Sequence, residues 1–183
     1  NGLINYAFAP RFILSCTPDL LKEIFQICQK ENLIFHSHAA ENTDEVRLVV
    51  ENTGERNITA FSKLGIIGPN VCLAHCVWLD KEEKDILEDN QIKVLHCPTA
   101  NLKLGSGIAP IPEYLKRGIS VSLGADGAPC NNNLSIFNEM RLAALIQKPM
   151  YGPTSMNSEL VFRMATIEGA RALGIGDKIG SIE

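Results

Sequence analysis

Leu33-Ile34-Phe35-His36-Ser37-His38-Ala39-Ala40-Glu41-Asn42 joins a short apolar run to two histidines and a carboxylate, and a helix-like segment begins at once after it. A brief apolar run without polar alternation is the pattern of a parallel strand buried on both faces. The pattern returns three times downstream. Val71-Cys72-Leu73-Ala74 runs into His75, Ile92-Lys93-Val94-Leu95 into His96, and Ile119-Ser120-Val121-Ser122-Leu123-Gly124 towards Asp126. Each run delivers an ionisable or metal-binding residue at its C-terminal end, so several strands aim polar groups at one point.

Helix signals separate these runs. Thr17-Pro18-Asp19 reads as an N-cap, a first-turn proline and a first-turn acid, with Leu20, Leu21, Ile24, Phe25, Ile27 and Cys28 expected on one face behind it. Asn42 or Thr43 can cap a helix through Val46, Val49 and Val50, and residues 57–64 form a second piece closed by Gly65. Asp80 and Glu83 make a capping box. Residues 99–107 are expected to be a long polar loop. A short helix covers 110–117, with Gly118 just past its end. The Asn131-Asn132-Asn133 tract is expected to start the helix carrying Phe137 and Met140, and a single last helix spans 158–173. Ala7-Phe8-Ala9 and Phe12-Ile13-Leu14, around Pro10-Arg11, give a further strand or strand end.

Strand–helix alternation means parallel strands with crossover helices. A doubly wound sheet would show a glycine-rich phosphate loop after its first strand, and neither Gly105-Ser106-Gly107 nor Gly174-Ile175-Gly176 stands in that position. Polar residues at the C-terminal ends of several strands are the distribution of a (β/α) barrel. The expected fold is therefore α/β: the C-terminal portion of a (β/α)8 barrel, about five parallel strands with their helices, as a single domain over residues 1–183. The chain opens without an initiator methionine and is expected to be a piece of something longer. An unpaired strand edge would then be covered by another chain, and a homo-oligomer is expected.

The 183 residues are 45% hydrophobic and 21% charged, with a formal net charge of −4. That balance argues against a nucleic-acid partner, and no apolar run approaches the roughly 20 residues needed to span a bilayer. Six cysteines without a Cys-x-x-Cys pair are too sparse for a disulfide scaffold, which points to a reducing, cytoplasmic setting. A structural zinc held by Cys72, His75, Cys76 and Cys97 is a further possibility, although the spacing matches no common module.

His38 and Glu41 stand three apart beyond a strand end, so a helical turn would put them on one side. A histidine suits a divalent metal and a nearby carboxylate can move protons; the plain structural alternative is a surface histidine beside a helix-dipole glutamate. His36 would share a face with His38 if the strand continued that far; with the strand expected to end there, His38 is the ligand candidate and His36 structural. His75 reads as a ligand, a proton shuttle or a buried core histidine, and His96 more simply as the last. Asp126 sits among Gly124, Ala125, Gly127 and Ala128, small neighbours that permit close approach of a ligand, or else it makes an Asp-Gly turn. No Gly-x-Ser-x-Gly elbow, Walker loop or small zinc-deaminase signature is present.

The segments 36–42, Leu73-Ala74-His75-Cys76, 96–110 and Gly124-Ala125-Asp126-Gly127-Ala128-Pro129 together resemble the amidohydrolase superfamily, in its aminohydrolase and chlorohydrolase branch, over nearly the whole chain. Residues 131–148 are most similar to the 5′-deoxyadenosine, S-adenosylhomocysteine and methylthioadenosine deaminases; Pro10-Arg11-Phe12 also resembles guanine deaminase. The resemblance implies one divalent metal, zinc or iron, with His38 and Asp126 as ligands. It also implies Glu41 as the acid that protonates a ring nitrogen, Asp126 as base, and His75 as the histidine orienting nucleophile and substrate. Arg11, His96 and Asn101 fall where substrate contacts are expected. The substrate is then a small purine- or triazine-like molecule. Hydroxide generated at the metal attacks the amino-bearing ring carbon and ammonia leaves. Guanine deamination, triazine dechlorination and an inert barrel fragment remain alternatives. The His-x-His of the family's first strand has no counterpart here, and the first strands and a flanking β-sandwich are missing.

Overall fold

The computed structural model describes residues 4–182. Five strands, β1 (Ala7–Phe8), β2 (Ile34–Ala39), β3 (Val71–His75), β4 (Lys93–His96) and β5 (Val121–Leu123), form one sheet. Their spatial order is their sequence order, and every neighbouring pair is parallel. The register aligns Phe35 with Val71, His38 with Ala74, Ala74 with Leu95 and His96 with Leu123. The C-terminal strand ends therefore lie at one edge of the sheet, and the residues that follow them emerge side by side.

Alternation along β2 sets the two faces. Phe35, Ser37 and Ala39 are buried while Ile34, His36 and His38 are less so. The Phe35 ring sits edge-on between Phe25, 5.8 Å away, and Phe61, 6.1 Å away. Those partners come from α1 (Pro18–Glu31) and from α3 (Asn57–Lys63), which follows α2 (Thr43–Thr53). Burying a phenylalanine this way contributes roughly 1.5–3 kcal/mol, with up to about 1.5 kcal/mol more from edge-to-face geometry. The opposite face of β2 carries His36 and His38, whose rings stack at 6.0 Å. The strand thus runs through to Ala39 rather than ending near Ser37, and the two histidines share a face.

Local sequence starts the helices as expected. Thr17 accepts from Leu20 N, Asn42 from Glu45 N, and Asp80 and Glu83 form a reciprocal capping box at the start of α4 (Lys81–Asp89). Four expectations are corrected. Part of the 99–107 loop is helical, as α5 (Pro98–Lys103), before α6 (Ile111–Lys116). The asparagine tract does not open a helix: one turn, α7 (Ala128–Asn131), ends there with Asn132 left-handed at φ +68°. Helix α8 (Ile136–Ile146) begins after Ser135, followed by the single turn α9 (Lys148–Tyr151). The last helix is two, α10 (Ser158–Ala165) and α11 (Ile167–Ala172), broken at Thr166, whose ψ is −94°. Phe12 makes only one bridge, to His38, and Ile13–Ser15 is a 3-10 turn instead of a strand.

Glu83 is fully buried. Its carboxylate accepts from Ile58 N at 2.9 Å and Asp80 N at 3.2 Å, and pairs with Arg56 Nε at 2.8 Å. Glu83→Ala strands the Ile58 and Asp80 amides and removes one of the two carboxylates paired with the partly exposed Arg56 guanidinium, so it should cost about 3 kcal/mol. Glu83→Gln, which keeps one acceptor oxygen, should cost less. Urea unfolding of the two variants checks the order; equal, near-zero losses would show that the pair holds nothing.

Candidate active site

A cleft of about 340 Å³ opens at the C-terminal strand edge. Its wall includes His38, Glu41, His75 and Asp126, which follow three different strands, together with Arg11, Phe12, Leu48, Leu104 and Cys130. His38 reaches it as the outward alternate of β2. Its Nδ1 lies 2.5 Å from the Arg11 carbonyl, which assigns the proton to Nδ1 and leaves Nε2 with a free lone pair.

His75 arrives differently. Its register partner is Ala39, on the helix-facing side of the sheet. Left-handed backbone at His75 (φ +72°) and Cys76 (φ +48°) turns the chain, and the His75 ring stacks on His38 at 5.2 Å. Two such residues cost on the order of 1 kcal/mol each. Three hydrogen bonds hold the turn: Cys76 N donates to Ala39 O, Val77 N to Ala40 O, and the buried Tyr114 hydroxyl to Cys76 O at 2.6 Å. His75 Nδ1 meets Asn101 Oδ1 at 2.8 Å, so that nitrogen carries the hydrogen and Nε2 faces Glu41, 3.9 Å from Oε2.

Glu41 stands at the mouth with its side chain 21% exposed. Ser106 Oγ donates to its Oε1 at 3.1 Å. Beneath it Glu45 accepts from Ala40 N at 3.1 Å and Glu41 N at 2.7 Å, fixing the turn after β2. Burial raises the Glu45 pKa, and these amide donors partly oppose the rise. Asp126 is itself left-handed (φ +59°), with Oδ1 accepting from Gly127 N. Its loop is tied by Asn131, whose amide donates to Ala125 O at 2.6 Å and to the buried Glu139 at 2.8 Å.

Two expected contact residues lie elsewhere. Asn101 and His96 are each 1% exposed and neither lines the cleft. Asn101 sits behind His75, and neither ring nitrogen of His96 has a partner. Arg11 does line the cleft. The cysteine–histidine zinc cluster is not formed: Cys72, Cys76 and Cys97 each direct the thiol to a different backbone carbonyl. Among the described residues no three His, Cys, Asp or Glu side chains converge to hold a metal. Glu45, Ser106, Glu139 and Cys130 were not singled out as site residues. Only Glu45 had a local signal, three residues after the Asn42 cap where a capping-box acid stands.

A parallel α/β sheet with its ionisable residues gathered at the C-terminal strand edge is the arrangement of a barrel hydrolase. Residues 1–183 match the amidohydrolase family, and the chain belongs to that family. It is 43% identical over 173 residues to a 5′-deoxyadenosine deaminase of Methanothermobacter thermautotrophicus, covering 94% of this chain and 40% of that protein. It is 40% identical over 183 residues to a 5-methylthioadenosine/S-adenosylhomocysteine deaminase of Syntrophobacter fumaroxidans, covering 100% and 42%. The crystal structure of a zinc-bound adenosine deaminase from Xanthomonas campestris superposes with a TM-score of 0.96 at 32% identity, covering all of this chain and 42% of that one. The chain thus spans about two fifths of the length of the relatives it matches, and its five-stranded sheet corresponds to part of their barrel.

His96 generates a pH dependence. Burial, reinforced by His75, brings its pKa down to about 3. Unfolded, a histidine titrates near 6.5, so between roughly pH 6.5 and 3 the unfolded chain binds a proton that the folded chain refuses, and stability falls as pH falls. One proton corresponds to about 1.4 kcal/mol per pH unit. Urea titrations from pH 7 to 4 should give a His96→Phe variant a slope shallower by up to that amount. Parallel slopes would show that His96 titrates normally.

Proposed function

We propose that this chain, at the full length of its relatives, forms a metal-dependent hydrolytic deaminase of adenosine-type nucleosides such as 5′-deoxyadenosine, methylthioadenosine or S-adenosylhomocysteine. The observation that carries this reading is the convergence of His38, Glu41, His75 and Asp126 on one cleft. The 43% identity to a 5′-deoxyadenosine deaminase supports the substrate class.

The donor set fits part of a metal site. His38, with Nδ1 engaged by a backbone carbonyl, offers Nε2 in the manner of a ligating histidine steadied from behind. Asp126, with one oxygen on Gly127 N, offers the other. A catalytic zinc takes three protein ligands and an open position, and His38 and Asp126 supply two of them. When bound, a divalent metal supplies water with a pKa near 7 instead of 15.7.

The chain's own residues then divide the proton traffic. Asp126 accepts a proton from the attacking water on the carboxylate oxygen that does not hold the metal. His75, held by Asn101, presents an Nε2 lone pair that orients this water. Glu41 gives its proton to the ring nitrogen next to the amino-bearing carbon, so no full negative charge accumulates on the ring. As the tetrahedral carbon collapses, Asp126 gives its proton to the departing amine, Glu41 takes the proton of the new hydroxyl as the carbonyl forms, and ammonia leaves.

Ammonia release by the full-length protein from a panel of adenosine analogues, guanine and chlorotriazines tests the substrate class. Turnover of guanine or a triazine with none of the adenosine analogues overturns it. Glu41→Gln should lose about 10²–10⁴-fold in kcat while keeping its metal content. Asp126→Asn should lose at least as much, together with metal. Full turnover by Glu41→Gln would remove the mechanism. The isolated 183-residue chain, with two donors, should hold zinc weakly in equilibrium dialysis and release no ammonia.

A further inference from the structure

Glu41 and Glu45 lie four residues apart and are held in opposite ways. Glu45 meets only N–H donors: the amides of Ala40 and Glu41, and Asn57 Nδ2 at 2.5 Å. Such partners serve a carboxylate that keeps one protonation state. Glu41 meets a hydroxyl, Ser106 Oγ, 3.1 Å from Oε1. A hydroxyl can donate to a carboxylate and accept from a carboxylic acid. It is the side-chain group that can hold a proton-shuttling carboxyl in both of its states without moving.

Ser106 is itself fixed. It is 4% exposed. Its amide donates to Asn101 O at 2.8 Å, and its carbonyl accepts from Trp78 Nε1 at 2.6 Å. The next residue, Gly107, has φ +125° and lies so close to Trp78 that an added Cβ would sit 3.0 Å from the indole. The loop is therefore pressed onto a large rigid side chain, in a backbone conformation that favours glycine. Asn101 stands behind both partners of Glu41: its carbonyl takes the Ser106 amide, and its side chain takes His75 Nδ1.

We propose that Ser106 is a positioning residue for proton transfer by Glu41, its hydroxyl keeping the carboxyl oriented into the cleft whether protonated or ionised. The inference rests on the deaminase reading for its kinetic consequence but not for its geometric one. In the full-length protein with an adenosine-type substrate, Ser106→Ala should lower kcat about ten- to a hundredfold, the worth of one hydrogen bond to a charged group, with KM and zinc content unchanged. Ser106→Thr, which keeps the hydroxyl, should recover most of that loss. A separate measurement needs no turnover and no threonine variant. The infrared carboxylate band of Glu41, isolated by subtracting the Glu41→Gln spectrum, should shift in Ser106→Ala. If no adenosine analogue is a substrate, the deaminase reading fails and the band alone decides: a shift supports Ser106, and an unshifted band overturns it. With an active enzyme, an unchanged kcat in Ser106→Ala, or a loss that threonine does not relieve, overturns the proposal.

Discussion

The loops that leave a parallel sheet have no ladder to bond with, and the molecule meets that constraint with buried and half-buried carboxylates. Glu45 takes the amides of Ala40 and Glu41 after β2. Glu83 takes those of Ile58 and Asp80. Glu139 takes the amide of Thr99 after β4 and, through Asn131, steadies the loop after β5. All three lie in the first turn of a helix. There the helix dipole favours negative charge, which offsets some of the cost of burying it. The turns after β2, β4 and β5 are thus anchored to a neighbouring helix rather than left to their own flexibility. A site that must hold atoms within about half an ångström requires this of its supports.

Strain is distributed with equal economy. Ala40, His75, Cys76 and Asp126 all have positive φ, and each stands at or just past the end of a strand. At the end of β3 the reversal lets His75, which alternation would send towards the helices, face the cleft instead. The sheet's regularity and the site's geometry are in conflict at these positions, and local hydrogen bonds settle the conflict in favour of the site.

What could be read from the sequence follows from how local each cause is. Thr17, Asn42 and the Asp80–Glu83 pair announce their helices because cap and helix are adjacent. The strand runs announce a parallel sheet because burial on both faces leaves no alternation. The approach of His38, Glu41, His75 and Asp126 followed from strand-end position, aided by the family resemblance. His75's inward turn was not legible, since nothing marks a histidine as left-handed. Nor was the late start of α8: the Asn131 side chain serves Ala125 and Glu139, and Asn132 turns left-handed. The places of Asn101 and His96 depend on partners that only tertiary structure provides.

The order of the strands has a consequence for how the protein is made. Because spatial order repeats sequence order from β1 to β5, each strand from β2 onward, on leaving the ribosome, finds a pairing partner already synthesised. At about 5–20 residues per second, successive strands arrive seconds apart, far slower than the microseconds in which hairpins and helices form. The sheet can therefore grow one strand at a time during translation. Glu41 is synthesised long before Ser106, and until that later loop arrives the turn after β2 stands on Glu45 and on the amides of Cys76 and Val77.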